Sequence, residues 1–136
     1  MEETIMGKLP NIMPKIIEEV GFDFSWNNRK VWSLDVPVTE INISTLEWHF
    51  KIPFWDIKPD RYNLKPIDVI NFPEKHKIEY DRTMKCDVKH PIDIMQNKGR
   101  WLVLDGLHRL VKLKIQGKTR VKVRKISRSM ISQISM

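Results

Sequence analysis

At 136 residues with 41% apolar side chains, five Trp and five Phe, the chain is long and apolar enough for one domain with a buried core, and its balance of charge and hydrophobicity excludes a disordered chain. The apolar runs are only a few residues long, which excludes a bilayer span, and the opening MEETIMGKLP is acidic before it is apolar, the wrong order for a secretory leader, so a cytoplasmic location is expected. The net charge of +7 is unevenly spread: residues 106–136 hold nine Lys or Arg and no acid, a bias that points to an anionic partner.

In chain order, PKIIEEV predicts a short helix with Pro14 at its first position and Gly21 just past its end. GFDFSWNNRK is a turn-rich connection. VWSLDV (31–36) predicts a strand from its β-branched and aromatic content, Pro37 stops it, and VTEINI is a second short extended piece. In STLEWHFKIPFW, Ser44 or Thr45 can cap a short helix with Glu47 in its first turn, and Pro53 ends it. The aromatic group Trp48, Phe50, Phe54 and Trp55 is expected in the core, with the wall of a binding site as the alternative.

Two helical pieces follow, each with a proline, Pro66 or Pro73, in its first turn. In the second, His76, Tyr80, Thr83 and Met84 share one face, and Lys75, Glu79 and Arg82 form a charged, solvated opposite face. The lone Cys86 excludes an internal disulfide and a cysteine-based metal site, and is expected as a small core residue.

The last third has the clearest pattern. PIDIM (91–95) alternates, QNKG is a hairpin turn, and the apolar run RWLVL (100–104) predicts a central strand. HRLVKLKI spaces Leu110, Leu113 and Lys114, with Leu107 and Val111, as a helix that Gly117 ends. TRVKVRKI alternates strictly, with Arg120, Lys122 and Arg124 on one face and Val121 and Val123 on the other. The fold class expected is α+β, a small mixed sheet with helices packed on it, forming one domain over 1–136 with a tail, 127–136, that frays.

Between RWLVL and the following helix lies Asp-Gly-Leu-His-Arg, residues 105–109. A helix that opens on glycine presents its first amide N–H groups and about half a positive charge, which suits a phosphate or carboxylate. Arg109 lies in that first turn, where the helix dipole disfavours a cation, so its presence makes sense if its fork grips an anion. His108 can donate to the same anion or move a proton near neutral pH, and Asp105 can cap the helix or hold a metal or a ligand hydroxyl. The plainer alternative is a capped helix with exposed polar residues.

The segment LDGLHRLVKLKIQGKTRVKVRKI, preceded by HPIDIM, resembles the ParB/sulfiredoxin superfamily over residues 88–126, and VWSLDVPVTEI is similar to the first strand of that family. The resemblance implies that nucleotide phosphates bind at Asp105, Gly106, Leu107, His108 and Arg109. Leu107 stands where sulfiredoxins carry their catalytic cysteine, so sulfinic-acid repair is not expected. The 136 residues leave no room for the helix-turn-helix domain of the partition proteins, so centromere-type partition is not expected. The Asp-Gly-x-His-Arg form resembles relatives that act as free-serine kinases with an acidic base after the first strand, which makes Glu40 and Glu47 candidates for that base.

The function expected is an ATP- or ADP-dependent phosphotransferase acting on a small molecule, with Mg²⁺ on the phosphates and CTP as an alternative nucleotide. Glu40, Glu47 and His108 are its candidate catalytic groups, and no metal site is expected from the residues themselves. Two alternatives stay open. One is a nucleic-acid-binding or nuclease module that tracks a backbone through Arg120, Lys122 and Arg124. The other is a non-catalytic nucleotide sensor.

Overall fold

The structure is a computed structural model that describes residues 13–136. It is α+β, built on a four-stranded mixed sheet: β1 (Val38–Asn42), β2 (Ile92–Asn97), β3 (Arg100–Asp105) and β4 (Arg120–Ile126), in the order β1-β4-β2-β3. β1 runs antiparallel to β4 and β3 antiparallel to β2, while β2 and β4 are parallel, so a crossover must join them. That crossover carries α5 (Leu107–Ile115).

The β2–β3 hairpin forms as the sequence predicts. Its two-residue turn, Lys98–Gly99, has positive φ at both positions (52° and 76°), the backbone that a tight hairpin requires. β4 also alternates as expected, with Val121 and Val123 buried. β3, however, is an edge strand and not a central one. Its apolar run reflects cover on both faces. Val103 joins the main core, Leu104 lies against Met95, Ile126 and Ile134, and Leu102 packs on Ile17, Val20 and Phe22.

Helices cover both faces of the sheet. On one side, α5, α3 (Pro66–Asn71), α4 (Lys77–Lys85) and a 3-10 helix (Ile43–Lys51) enclose Leu46, Phe50, Ile94, Leu110 and Val111. Within the 3-10 helix, Ile43, Leu46 and His49 are all buried at a spacing of three, which matches its pitch. Asn42 is its N-cap, not Ser44 or Thr45. Pro66 occupies the first turn of α3 as expected, whereas Pro73 lies in the turn before α4.

On the other side lie α2 (Asn28–Trp32) and α6 (Ile131–Ile134); α1 (Lys15–Glu19) packs near the hairpin end. α2 replaces the strand expected at 31–36. The Asn27 side chain accepts the Lys30 N–H at 3.1 Å, an N-cap that outweighs the β-branched content after it. The segment after β4, expected as a tail that frays, packs back on the sheet: Ile134 is fully buried, and its carbonyl accepts the Asn27 N–H at 2.7 Å. Among the described residues, no helix is long and apolar enough to cross a membrane.

Candidate functional site

β3 hands over to α5 at Gly106, the N-cap, with φ 112° and ψ 20°. No side chain caps the helix; the first intrahelical bond runs from Leu110 N–H to Gly106 O, so the amides of Leu107, His108 and Arg109 precede it. Asp105 is therefore not the cap. Its Oδ2 accepts from the Trp32 indole N–H at 2.7 Å and from an Arg109 Nη2 hydrogen at 3.3 Å.

The Arg109 guanidinium folds back over Gly106. A Cβ on Gly106 would stand 2.7 Å from Arg109 Nη2 and 3.1 Å from its Nε. Glycine is thus needed here twice, for the positive φ and for this close approach. Arg109 Nε is buried and has no hydrogen-bond acceptor. Native structures seldom leave a buried donor unsatisfied.

Arg109 and Asp105 border a cavity of about 440 Å³, whose other walls include Trp32, His90, Asp93 and Arg124. Strand register brings Asp93 there: it lies opposite Asp105 across the β2–β3 ladder and beside Arg124 across β2–β4. A register irregularity between Asp93 and Ile94 disturbs β2 at this point, and bulged strands recur beside functional sites because they re-aim side chains. Arg124 donates to Asp93 Oδ1 at 3.0 Å and to the carbonyls of Val31 (3.2 Å) and Leu34 (2.6 Å), which ties α2 and its C-terminal turn to the sheet. Burial pushes the Asp93 carboxyl pKa up, with Arg124 opposing that shift and Asp105 adding to it.

His108 and Leu107 do not line this cavity. His108 Nε2–H donates to Glu79 Oε2 at 2.6 Å, and its ring stacks on Trp55 with centroids 4.4 Å apart and planes 12° from parallel. This contact docks α5 on α4. It also corrects the reading of α4: Glu79 is buried, with Arg82 Nη1 at 3.7 Å, and does not belong to a solvated face. Leu107 lines a second cavity of about 220 Å³ with Phe22, Trp26, His49 and Phe54. His49 there is held neutral. Its Nδ1–H donates to Leu46 O at 2.7 Å, its Nε2 accepts the Val103 N–H at 3.0 Å, and burial lowers its pKa to about 4.

The candidate bases sit elsewhere. Glu40 pairs with Arg120 Nε at 3.1 Å on the exposed β1–β4 edge, and Glu47 pairs with Lys114 at 2.6 Å, near the far end of α5. Of the three basic residues expected on one face of β4, Arg120 is engaged by Glu40 and Asn42, Arg124 is nearly buried on Asp93, and Lys122 is exposed. Cys86 is half-buried after α4, where burial raises its thiol pKa.

The cavity residues the sequence did not single out as a site are Trp32, His90 and Asp93, and Arg124, expected on a nucleic-acid backbone, lines this cavity instead. Asp93 carries the one readable signal, an acid inside an apolar strand. Among the described residues, no group of three or more His, Cys, Asp or Glu side chains converges as a metal site. A scan against protein-family models finds no match, and neither the curated proteins nor the solved structures yield a significant one.

Proposed function

We propose that this chain is a nucleotide-binding phosphotransferase of the ParB/sulfiredoxin type, which holds the phosphates of ATP or ADP at the start of α5 and acts on a small molecule. The supporting observation is Arg109. Its Nε–H is buried against the turn with no protein acceptor, so a small movement of the side chain that brought it to a phosphate oxygen in the adjoining cavity would satisfy a donor worth about 1–3 kcal/mol. The N-terminus of α5, whose first amides precede the intrahelical ladder, would add a favourable field for an anion nearby.

Mg²⁺ would accompany the phosphates. Asp93 and Asp105 face each other at the cavity, and this ion is usually held by one or two carboxylates together with phosphate oxygens and water. When bound it would supply charge neutralisation. Glu40 and Glu47 lie away from this cavity, paired with Arg120 and Lys114, so the reading gives neither the base role; Asp105, the carboxylate that lines the cavity, would orient an acceptor hydroxyl. His108 is then a structural residue that ties α5 to α4 through Glu79.

Calorimetric titration with ATP, ADP and CTP in the presence of Mg²⁺ tests the reading. Binding is expected in the native protein, roughly tenfold or more weaker in Arg109→Ala, and within about twofold of native in His108→Ala. If no nucleotide binds the native protein at millimolar concentration, the reading fails.

A second reading, nucleic-acid binding, is supported by a different place from Arg120, Lys122 and Arg124. An open groove of about 500 Å³ at the hairpin end is lined by Lys98, Trp101, Lys125 and Arg128, with Lys125 Nζ 5.2 Å over the Trp101 ring. Its mark would be affinity that falls steeply with salt.

A further inference from the structure

Trp32 is anchored yet uncovered. Its indole N–H is tied to Asp105 Oδ2 at 2.7 Å, and the residue is still 56% exposed at the rim of the cavity that holds Arg109. Large aromatic side chains are usually well covered, because their apolar area is the largest a residue can remove from water. A tryptophan held in one place by its polar edge and left open to solvent is a preorganised platform, since little further ordering is needed for a second ring to lie on it.

Asp105 Oδ2 also accepts from Arg109 Nη2, at 3.3 Å. One carboxylate oxygen therefore holds both the platform and the guanidinium fork, and the two nitrogens it binds are no more than about 6 Å apart. A single sugar bridges such a gap between a ring and a phosphate.

We propose that Trp32 is the base-stacking platform of this site, so that its ligand is a phosphate ester carrying a planar ring and not a bare polyphosphate or a phosphorylated aliphatic compound. The proposal rests on the phosphate-binding reading of the Arg109 cavity and adds the second half of the ligand. Stacking selects for a ring and tolerates its identity, because every base has a π face. Any discrimination between bases must come from the polar groups on the same wall, His90 among them.

The test compares Mg-ATP with Mg-tripolyphosphate on the native protein, Trp32→Phe and Trp32→Leu, by calorimetry, with circular dichroism as the check of fold. The proposal expects ATP to bind the native protein about tenfold more tightly than tripolyphosphate, the gain of one base–aromatic stack. Trp32→Leu should abolish that advantage and leave tripolyphosphate affinity within about twofold, while Trp32→Phe should keep most of it. If ATP and tripolyphosphate bind the native protein equally, the stacking proposal is overturned and the phosphate reading stands. Equal losses for both ligands in Trp32→Leu overturn it as well, since Trp32 would then act only by holding Asp105. If neither ligand binds, the phosphate reading itself falls.

Discussion

Replacing Gly106 with alanine tests how tightly the backbone and the candidate site are coupled. At φ 112° and ψ 20° an L residue is strained, at a cost of about 1–3 kcal/mol. The new methyl would also meet Arg109 Nη2 at 2.7 Å, Arg109 Nε at 3.1 Å and Ile92 Cγ1 at 3.2 Å. The guanidinium is the far end of a flexible side chain and can swing aside, but only by leaving Asp105, which adds about 1 kcal/mol for this partly covered pair. The expected total is about 2–4 kcal/mol, which lowers Tm by roughly 10 °C in a chain of this size.

Gly99→Ala is the natural control. Gly99 also has positive φ, 76°, but nothing lies within 4 Å of its missing Cβ, so only a backbone penalty of about 1 kcal/mol applies. Urea and thermal unfolding followed by circular dichroism would give both losses. In an Arg109→Ala background the excess loss of Gly106→Ala should shrink, with a coupling energy of about 0.5–1 kcal/mol. Equal losses at Gly106 and Gly99, or no coupling to Arg109, would refute the close approach of the guanidinium to the turn.

Two further outcomes follow from buried charge. Arg124→Met leaves Asp93 and two backbone carbonyls without their donor, so it should destabilise by about 3–5 kcal/mol, and the double variant with Asp93→Leu should recover much of that in urea unfolding; a double variant no more stable than the single one would contradict the pairing. His49 is held near pKa 4 in the folded state against 6.5 for a free histidine, so the unfolded chain binds a proton through that window while the folded chain does not. Stability should therefore fall as pH drops from 6.5 to about 4, by about 3 kcal/mol at 1.36 kcal/mol per pKa unit, and then level off. The buried Asp93 carboxyl, whose pKa is raised, works in the opposite sense by favouring the folded state in acid, so the His49 share is read as the difference from His49→Gln; parallel pH profiles for the two proteins would show that His49 is not buried neutral.

The parts of this fold legible in the sequence are those written into neighbouring residues. Lys98–Gly99 marks its own turn, Gly106 marks the point where β3 becomes α5, and Val121 and Val123 mark the buried face of β4. What spacing could not convey depends on partners far along the chain. Glu79 reads as solvated until His108, 29 residues on, is seen to donate to it. The strand expected at 31–36 yields to the Asn27 cap of α2, and β3 looks central because both its faces are covered. The cavity is legible only in part. Asp105, Gly106 and Arg109 announce themselves as one turn, whereas Trp32, Asp93 and Arg124 join them through strand register and the docking of α2, neither of which leaves a local motif.

The central claim is that Arg109 Nε–H is a donor awaiting an anion, and its own NMR resonance measures this most directly. With the Arg109 side-chain Nε–H assigned by comparison with Arg109→Lys, titration with Mg-ATP should shift that proton downfield and slow its exchange with water, as a new hydrogen bond to phosphate requires. Saturable binding that leaves the Arg109 Nε–H signal unmoved would place the phosphates elsewhere and contradict the account.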